Sequence, residues 1–377
     1  MRRRVRKEIG LEYGTFMMPL HNMERDYTQV LKEDREAIIL ADKLGFKEAY
    51  VGEHVTDRTE PITSCTMFLA TLLDATENIK LGSGTVNLPN NHPAIVAAQV
   101  AMLDHLLEGR FMFGIGPGGL RSDMEVFENL DRDRGAMFVE AIDQILAIWS
   151  GEPPYNLTGE YWNITTEQTL VPEVGQGIFV KPYQQPHPPI VVTTIAPHSK
   201  GLVKTAERGW LPLSSSFVQA EIVATHWPMH AQGRKNVGAV PDVSDWRIGK
   251  SIFVADDEAT AQRYGKAMGG PYAHYFETIM GKLVSAGRIG TFKADQSMPD
   301  EDVTLEWVVD SLVIAGTVNS VVDQILKFRE TTGDFGMLVY CGHDWLDADL
   351  SKRSMQLFAE EVMPRVNAAI GESAAAE

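Results

Sequence analysis

The feature that most constrains the fold is a regular alternation of strand-like and helix-like runs along most of the chain. Strand-like runs are predicted at residues 12–18, 48–54, 79–88, 111–115, 189–194, 210–216, 247–255 and 335–341. Amphipathic helices separate them; one covers residues 26–44, carries its apolar side chains on one face and stops at Gly45. Because crossover helices let a parallel sheet close on itself, the sequence predicts a (β/α)8 TIM barrel with insertions.

The domain organisation is expected to be simple. We predict a single domain over residues 1–377, because no change in composition marks a boundary and barrels accept long insertions. A solvated basic tail is predicted at 1–10, since acidic residues interrupt what would be the apolar part of a signal peptide. A frayed tail is predicted at 371–377. The segment 269–300 is interpreted as a lid over the site or an ordinary surface insertion.

Composition excludes several classes of function. A net charge of -17 argues against a nucleic-acid partner, because too few cations are present to neutralise a phosphate backbone. No window of 18 apolar residues occurs, so we expect no membrane association. Cys65 and Cys341 lie far apart and the histidines show no ligand spacing, which predicts no metal site, buried thiols and a cytoplasmic protein.

The run FMFGIGPGG at 111–119 has the G-x-G-x-x-G spacing of a dinucleotide-binding turn. The context of that motif is absent, because the run lies on the fourth predicted strand, Pro117 interrupts it and a charged segment follows. We therefore interpret the run as a glycine-rich turn at a strand's carboxyl end, where the backbone passes close to a flat ligand.

Candidate site residues follow from the barrel, whose sites lie at the carboxyl ends of the strands. His54 ends the second predicted strand and is either an acid/base group or a hydrogen-bonded structural histidine. Thr85 and Asn87 alternate along the third strand and point the same way. Thr85 either reaches a ligand or packs in the barrel, whereas the amide of Asn87 is expected to bond a ligand or a turn.

Three stretches recur in a characteristic order across most of the chain: GEH at 52–54, the block from Ile79 to Gly118, and AGTVNSVVDQI at 315–325. In sequence and order they resemble the bacterial luciferase-like, flavin-dependent monooxygenases. Within that family, GHDW at 342–345 and EVMPR at 361–365 look most like the limonene monooxygenase branch.

The resemblance implies a barrel that binds reduced FMN supplied by a separate NAD(P)H:flavin reductase. Such an enzyme uses O2 through a C4a-(hydro)peroxyflavin to oxygenate a small apolar substrate such as a terpene, alkene or ketone. We also expect a homo-oligomer. Two alternatives stay open: a hydride-transfer oxidoreductase that uses the deazaflavin F420, and a non-catalytic flavin-binding barrel.

The resemblance also assigns residues. His54 matches the histidine that luciferases use beside the flavin, and Thr85 and Asn87 are placed at the isoalloxazine edge. Arg134 matches an arginine used on the flavin phosphate, with a surface ion pair as the alternative. The other residues expected at the phosphate precede a helix, whose N-terminal N–H groups favour a dianion. They are Ala196, Pro197, His198 and Ser199.

Two departures from the luciferases weaken the implied aldehyde chemistry. Val55 stands where the luciferases have a second histidine, and Gly116 stands where they carry a reactive cysteine. No thiol from that strand is therefore expected beside the flavin.

Overall fold

A computed structural model describes residues 10–376, with side chains up to Glu372. The strands are β1 Glu12–Met17, β2 Glu48–Val51, β3 Lys80–Ser83, β4 Val86–Asn87, β5 Phe111–Gly116, β6 Asn156–Thr158, β7 Asn163–Thr165, β8 Ile190–Thr194, β9 Leu211–Ser214, β10 Arg247–Val254, β11 Val313–Gly316 and β12 Met337–Cys341. The helices are α1 Tyr27–Lys43, α2 Cys65–Ala70, α3 Pro93–Leu106, α4 Arg121–Val126, α5 Arg134–Ser150, α6 Lys200–Glu207, α7 Ala220–Ala224, α8 His226–Asn236, α9 Glu258–Gly265, α10 Pro271–Ser285, α11 Leu305–Leu312, α12 Val318–Thr332, α13 Ala348–Leu357 and α14 Met363–Ala376.

The fold class is a (β/α)8 barrel, as predicted. The eight predicted runs correspond to the parallel strands β1, β2, β3 with β4, β5, β8, β9, β10 and β12. The third run was expected to be continuous, but it breaks between β3 and β4 at the Gly84–Thr85 peptide, which is cis. Strand β11 was not predicted; it pairs in parallel with the carboxyl half of β10.

The helix boundaries follow local capping signals. Asp26 precedes α1 and its side chain accepts a hydrogen bond from the Gln29 N–H. Gly45, predicted as the stop after α1, has a positive φ, and so does Gly109 after α3, as helix-terminating glycines commonly do. Pro93 opens α3, where a missing N–H costs nothing.

Contacts divide the chain into two compact units, formed by residues 1–49 with 194–377 (unit 1) and by residues 50–193 (unit 2). In unit 1, β12 pairs with β1 and with β10, and β10 also pairs with β9. All these pairings are parallel. The single domain predicted for residues 1–377 remains a prediction.

The segment predicted as a lid contains α10, whose aromatic side chains lie in the core of unit 1. Tyr272, Tyr275 and Phe276 are fully buried in an apolar cluster that includes Phe253 and Phe292. The lid remains a prediction. The buried rings, however, act as core in this structure.

Unit 2 contains the glycine-rich run. Strand β5 pairs with β3 and β4 on one side and with β8 on the other. A Cβ at Gly114 would overlap the Ser83 carbonyl oxygen, and one at Gly116 would lie 2.7 Å from Thr85 Oγ1. These glycines therefore permit close approach of the neighbouring strand. The close approach of a ligand, expected from the sequence, remains a prediction.

The chain ends were predicted to be tails. Helix α14 continues through Ala376, into the segment expected to be frayed, and most of the basic tail lies outside the described residues. Within residues 10–376, none of the helices is both long enough and apolar enough to cross a bilayer.

Candidate functional site

His54 lies in the loop that follows β2, at the carboxyl end of a parallel strand. Its N–H donates to the Ile62 carbonyl at 3.1 Å, which closes the loop from 54 to 62. The side chain is 19% exposed, so the imidazole is largely enclosed but still reachable from outside. This is the position in which barrel enzymes place their reacting groups.

An aspartate that sequence reasoning missed holds the imidazole. Asp123, in the first turn of α4, is buried, and its Oδ2 lies 2.8 Å from His54 Nδ1. Its other oxygen accepts from the Thr56 N–H at 2.9 Å and from the Thr56 hydroxyl. Burial alone would raise the pKa of Asp123, but the hydrogen bonds from His54 and Thr56 outweigh it and lower that pKa.

The ionised carboxylate fixes the tautomer of His54. Because Asp123 can only accept, Nδ1 of the imidazole carries a proton and Nε2 presents a lone pair in the neutral ring. A second carboxylate oxygen, Glu60 Oε2, lies 3.5 Å from Nε2, within the range of an ion pair when the ring is protonated. His54 can therefore accept a proton at Nε2, with Asp123 stabilising the imidazolium that forms.

Glu53 connects the same loop to two other elements of unit 2. Its Oε2 accepts from the Cys65 N–H at 3.0 Å and its Oε1 accepts from the Asn87 N–H at 3.2 Å. Burial raises the pKa of Glu53, although the hydrogen bonds from Cys65 and Asn87 oppose the shift. Glu53 thus positions the backbone next to His54.

Thr85 and Asn87 are brought together with this cluster. The Thr85 hydroxyl lies 3.3 Å from Asn87 Oδ1, and Asn87 Nδ2 donates to the Glu53 carbonyl at 3.2 Å. The amide that was expected to bond a ligand or a turn therefore bonds the loop that carries His54. Since the strand breaks between β3 and β4, simple alternation does not account for the proximity of the two side chains.

A polar cavity of about 80 Å³ adjoins His54 in unit 2. Besides His54, Asp123 and Glu53, its lining includes carboxamides and hydroxyls of Asn91, Gln99 and neighbouring residues. A cavity of this size and polarity can hold ordered water.

Arg134 begins α5. Its Nη1 donates to the carbonyl oxygen of Gly118 at 2.5 Å. Gly118 has φ of 75°, a left-handed conformation that glycine adopts without strain. Arg134 therefore stabilises the glycine-rich turn, and its predicted contact with a phosphate remains a prediction.

The predicted phosphate residues lie in unit 1, between β8 and α6. Pro197 has no N–H, and His198 donates its N–H to Thr225 Oγ1 at 3.0 Å, so these two residues offer fewer backbone donors than expected. Ser199 caps α6, accepting from the Leu202 N–H at 3.3 Å, and its hydroxyl proton remains available to another acceptor. Ala196 accepts a bond at its carbonyl oxygen from His226.

The start of α6 fits the phosphate of FMN. Lys200 and Gly201 occupy its first turn, whose N–H groups have no acceptor within a helix. Together with the Ser199 hydroxyl, they are donors of the kind that suits a dianion. The phosphate contact expected from Ala196 to Ser199 remains a prediction.

The two cysteine thiols are not activated. Cys65 and Cys341 are buried and unpaired, and burial raises the pKa of both thiols, that of Cys341 to about 12. Across residues 10–376, no group of histidine, cysteine and carboxylate side chains is arranged to hold a metal ion.

Comparison with known proteins decides the family. The model of the luciferase-like monooxygenases matches residues 11–334. The chain belongs to the luciferase-like monooxygenase family. The enzyme class predicted from the sequence, a flavin-dependent monooxygenase, is thereby confirmed.

Two curated luciferase-like relatives span nearly the whole chain. Limonene 1,2-monooxygenase of Rhodococcus erythropolis is 29% identical over 96% of this chain and 88% of the relative. The oxygenase component of flavin-dependent trigonelline monooxygenase from Acinetobacter baylyi is 26% identical over 89% of this chain and 90% of its own.

A solved luciferase-like structure agrees with the fold. The oxygenating constituent of 3,6-diketocamphane monooxygenase from Pseudomonas putida, a type II Baeyer-Villiger monooxygenase in complex with FMN, superposes with a TM-score of 0.84 at 26% identity. The match covers 95% of this chain and 99% of that one.

Proposed function

We propose that this chain is the oxygenase component of a two-component system that receives reduced FMN from a separate NAD(P)H:flavin reductase. One oxygen atom of O2 enters a small apolar substrate, a terpene, an alkene or a ketone; the other leaves as water, and FMN is released oxidised. The observation that carries the proposal is the pairing of His54 with ionised Asp123 at a strand's carboxyl end.

The relatives support the substrate class and the partner. One is named for limonene and another constituent for diketocamphane, both compact apolar terpenoids. The trigonelline enzyme is described as an oxygenase component, which supports a separate source of reduced flavin.

The proposed roles follow from the contacts. Reduced FMN, when bound, supplies the electrons that activate O2. His54 holds or moves a proton at Nε2, and Asp123 orients it. Thr85 and Asn87 shape the backbone expected at the isoalloxazine edge, and Arg134 holds the turn at Gly118.

The phosphate is assigned to the segment before α6 and to its first turn. Ser199 and the N–H groups of Lys200 and Gly201 act as its donors. Ala196, Pro197 and His198 set the path of the chain that leads to them.

The test supplies the purified chain with FMN, NADH, a flavin reductase and 18O2, together with a panel of cyclic ketones and terpenes. We expect a product that carries one 18O atom and depends on both the reductase and FMN. In parallel, reduced and oxidised F420 are titrated, with secondary alcohols and ketones as hydride donors and acceptors. Tight F420 binding with oxygen-independent hydride transfer would replace the proposal, and failure to bind either cofactor productively would favour a non-catalytic barrel.

A further inference from the structure

A continuous chain of hydrogen bonds runs through the core of unit 1 to the segment between β8 and α6. The Trp246 indole N–H donates to Ser214 Oγ at 2.9 Å, and Ser214 Oγ lies 2.9 Å from His226 Nδ1. At its other end, His226 Nε2 lies 3.2 Å from the carbonyl oxygen of Ala196.

The direction of every bond in this chain is determined. A carbonyl oxygen can only accept, so His226 Nε2 carries the proton and donates to Ala196. The neutral ring then accepts at Nδ1 from the Ser214 hydroxyl, whose oxygen accepts in turn from Trp246. Only this one placement of the protons gives every polar group in the series from Trp246 to Ala196 a hydrogen-bond partner.

A second bond holds the next part of the same segment. Thr225, adjacent to His226, accepts the His198 N–H at 3.0 Å and donates its own proton to the Ile222 carbonyl at 2.7 Å. His198 has φ of 49°, a left-handed conformation that is uncommon for a residue with a side chain. Two neighbouring residues thus fix one carbonyl and one N–H of residues 196–198.

This anchor is rigid and uncharged. Trp246, Ser214 and His226 are all fully buried. Burial lowers the pKa of His226 to about 4, against the opposing effect of its bond to Ala196, so the ring stays neutral at ordinary pH. By contrast, Ala196, Pro197 and His198 are exposed at the surface.

We propose that His226, together with Thr225, is a positioning residue for the cofactor phosphate: it fixes residues 196–198 so that Ser199 and the first turn of α6 present their donors to the phosphate of FMN. This inference rests on the proposed function, because it concerns the same cofactor. His226 itself does not touch the ligand in this arrangement.

His230 provides a matched control one turn along α8. It is as buried as His226, and burial likewise lowers its pKa to about 4. Neither of its ring nitrogens has a hydrogen-bond partner in the described part of the chain, and it stacks on Trp227 at 5.3 Å. Replacing His230 therefore perturbs the same helix without releasing residues 196–198.

The experiment measures affinities for FMN and for riboflavin, which lacks the phosphate, by quenching of flavin fluorescence. The variants are His226→Leu, His226→Gln, Thr225→Val and His230→Leu in the full chain. We expect His226→Leu to weaken FMN binding about tenfold and riboflavin binding less than twofold. The amide of His226→Gln, which can still donate to Ala196, should restore most of the loss, and His230→Leu should leave the ratio of affinities unchanged.

Thr225→Val keeps the inference testable if His226→Leu does not fold, because valine matches threonine in shape and removes the acceptor for His198, together with the donor to the Ile222 carbonyl. It should lower the preference for FMN in the same direction. If wild-type protein prefers FMN and neither variant changes that preference, or if His230→Leu changes it equally, the inference is overturned. If the wild type binds FMN and riboflavin equally, the assignment of the phosphate in the proposed function fails instead.

Discussion

Two loops that follow barrel strands each involve a histidine, and the two histidines differ in their exposure and in the charge of the groups they bond. After β2, in unit 2, His54 is partly exposed and bonded to an ionised carboxylate. After β8, in unit 1, the chain is held by His226, which is fully buried and bonded to a hydroxyl and a carbonyl group.

The difference suits His54 to proton transfer and His226 to holding a backbone segment in place. A carboxylate partner stabilises an imidazolium, so His54 can gain and lose a proton during turnover. Neutral partners and burial oppose protonation of His226, so that ring keeps one tautomer and one set of bonds. The following predictions test this division.

The largest expected effect is on stability as a function of pH. Burial lowers the pKa values of His226 and His230 to about 4 and that of His343 to about 3. Because the unfolded chain binds more protons below pH 6.5, the free energy of unfolding should fall from pH 6.5 toward 4, by on the order of 3 kcal/mol for each histidine. Denaturant unfolding across this range measures the loss; replacing His230 by Leu should flatten the slope, and an unchanged slope would contradict a buried neutral ring.

His21 should act in the opposite direction. It is buried between Asp344 and Asp34, at 2.6 and 3.1 Å, and although burial alone would lower its pKa, the bonds to these carboxylates raise it to about 9. The native state therefore binds more protons than the unfolded state between pH 6.5 and 9, and about 3 kcal/mol of stability should disappear as the pH rises through that range. The variant His21→Gln should be less stable at pH 6.5 and lack this alkaline loss; retention of the loss would assign it to another group.

Replacement of His54 by alanine should lower coupled oxygenation by about 100-fold or more, the range typical for loss of a general acid or base. FMN binding should stay nearly intact, with the reducing equivalents appearing as hydrogen peroxide. Product and peroxide are quantified together in the reductase-coupled assay. The matched control is His92→Ala, an exposed residue whose Nδ1 caps α3, and its turnover should stay within twofold of the wild type.

Asp123→Asn should lower turnover about tenfold while keeping the shape of the site, because an amide cannot stabilise an imidazolium as a carboxylate does. The acidic limb of the pH–rate profile should move to lower pH. Thr56→Val, which removes one donor to Asp123 but leaves its charge, should reduce turnover less and leave that limb in place. If the two substitutions change turnover and the pH–rate profile equally, Asp123 has only a structural role.

The smallest effect is expected at Arg134. In the structure it bonds the Gly118 carbonyl, so Arg134→Leu should weaken FMN and riboflavin equally, by about threefold, through the glycine-rich turn. A loss confined to FMN would instead support the direct phosphate contact predicted from the sequence.

Local patterns in the sequence predicted much of this molecule. Hydrophobic periodicity and terminating glycines located the barrel strands, and the rule that sites lie at strand carboxyl ends selected His54. The same rule would have selected Asp123, an acidic residue just beyond the turn that follows β5, had charge near that turn been weighed.

Other features depend on which distant residues pair with one another, and that pairing left no local signal. Asp123 meets His54 across 69 positions and His226 meets Ala196 across 30. Strand β11 is only four residues long and was not predicted. The break at Gly84 interrupts an otherwise regular alternating run.

The most direct test of the account mixes the anaerobic complex of the chain and reduced FMN with O2 in a stopped-flow spectrometer, without substrate. The account predicts a transient absorbance that belongs to neither reduced nor oxidised flavin, long-lived in the wild type and lost at least tenfold faster in His54→Ala and Asp123→Asn. A single step to oxidised flavin at the rate of free FMN in the wild type would contradict it.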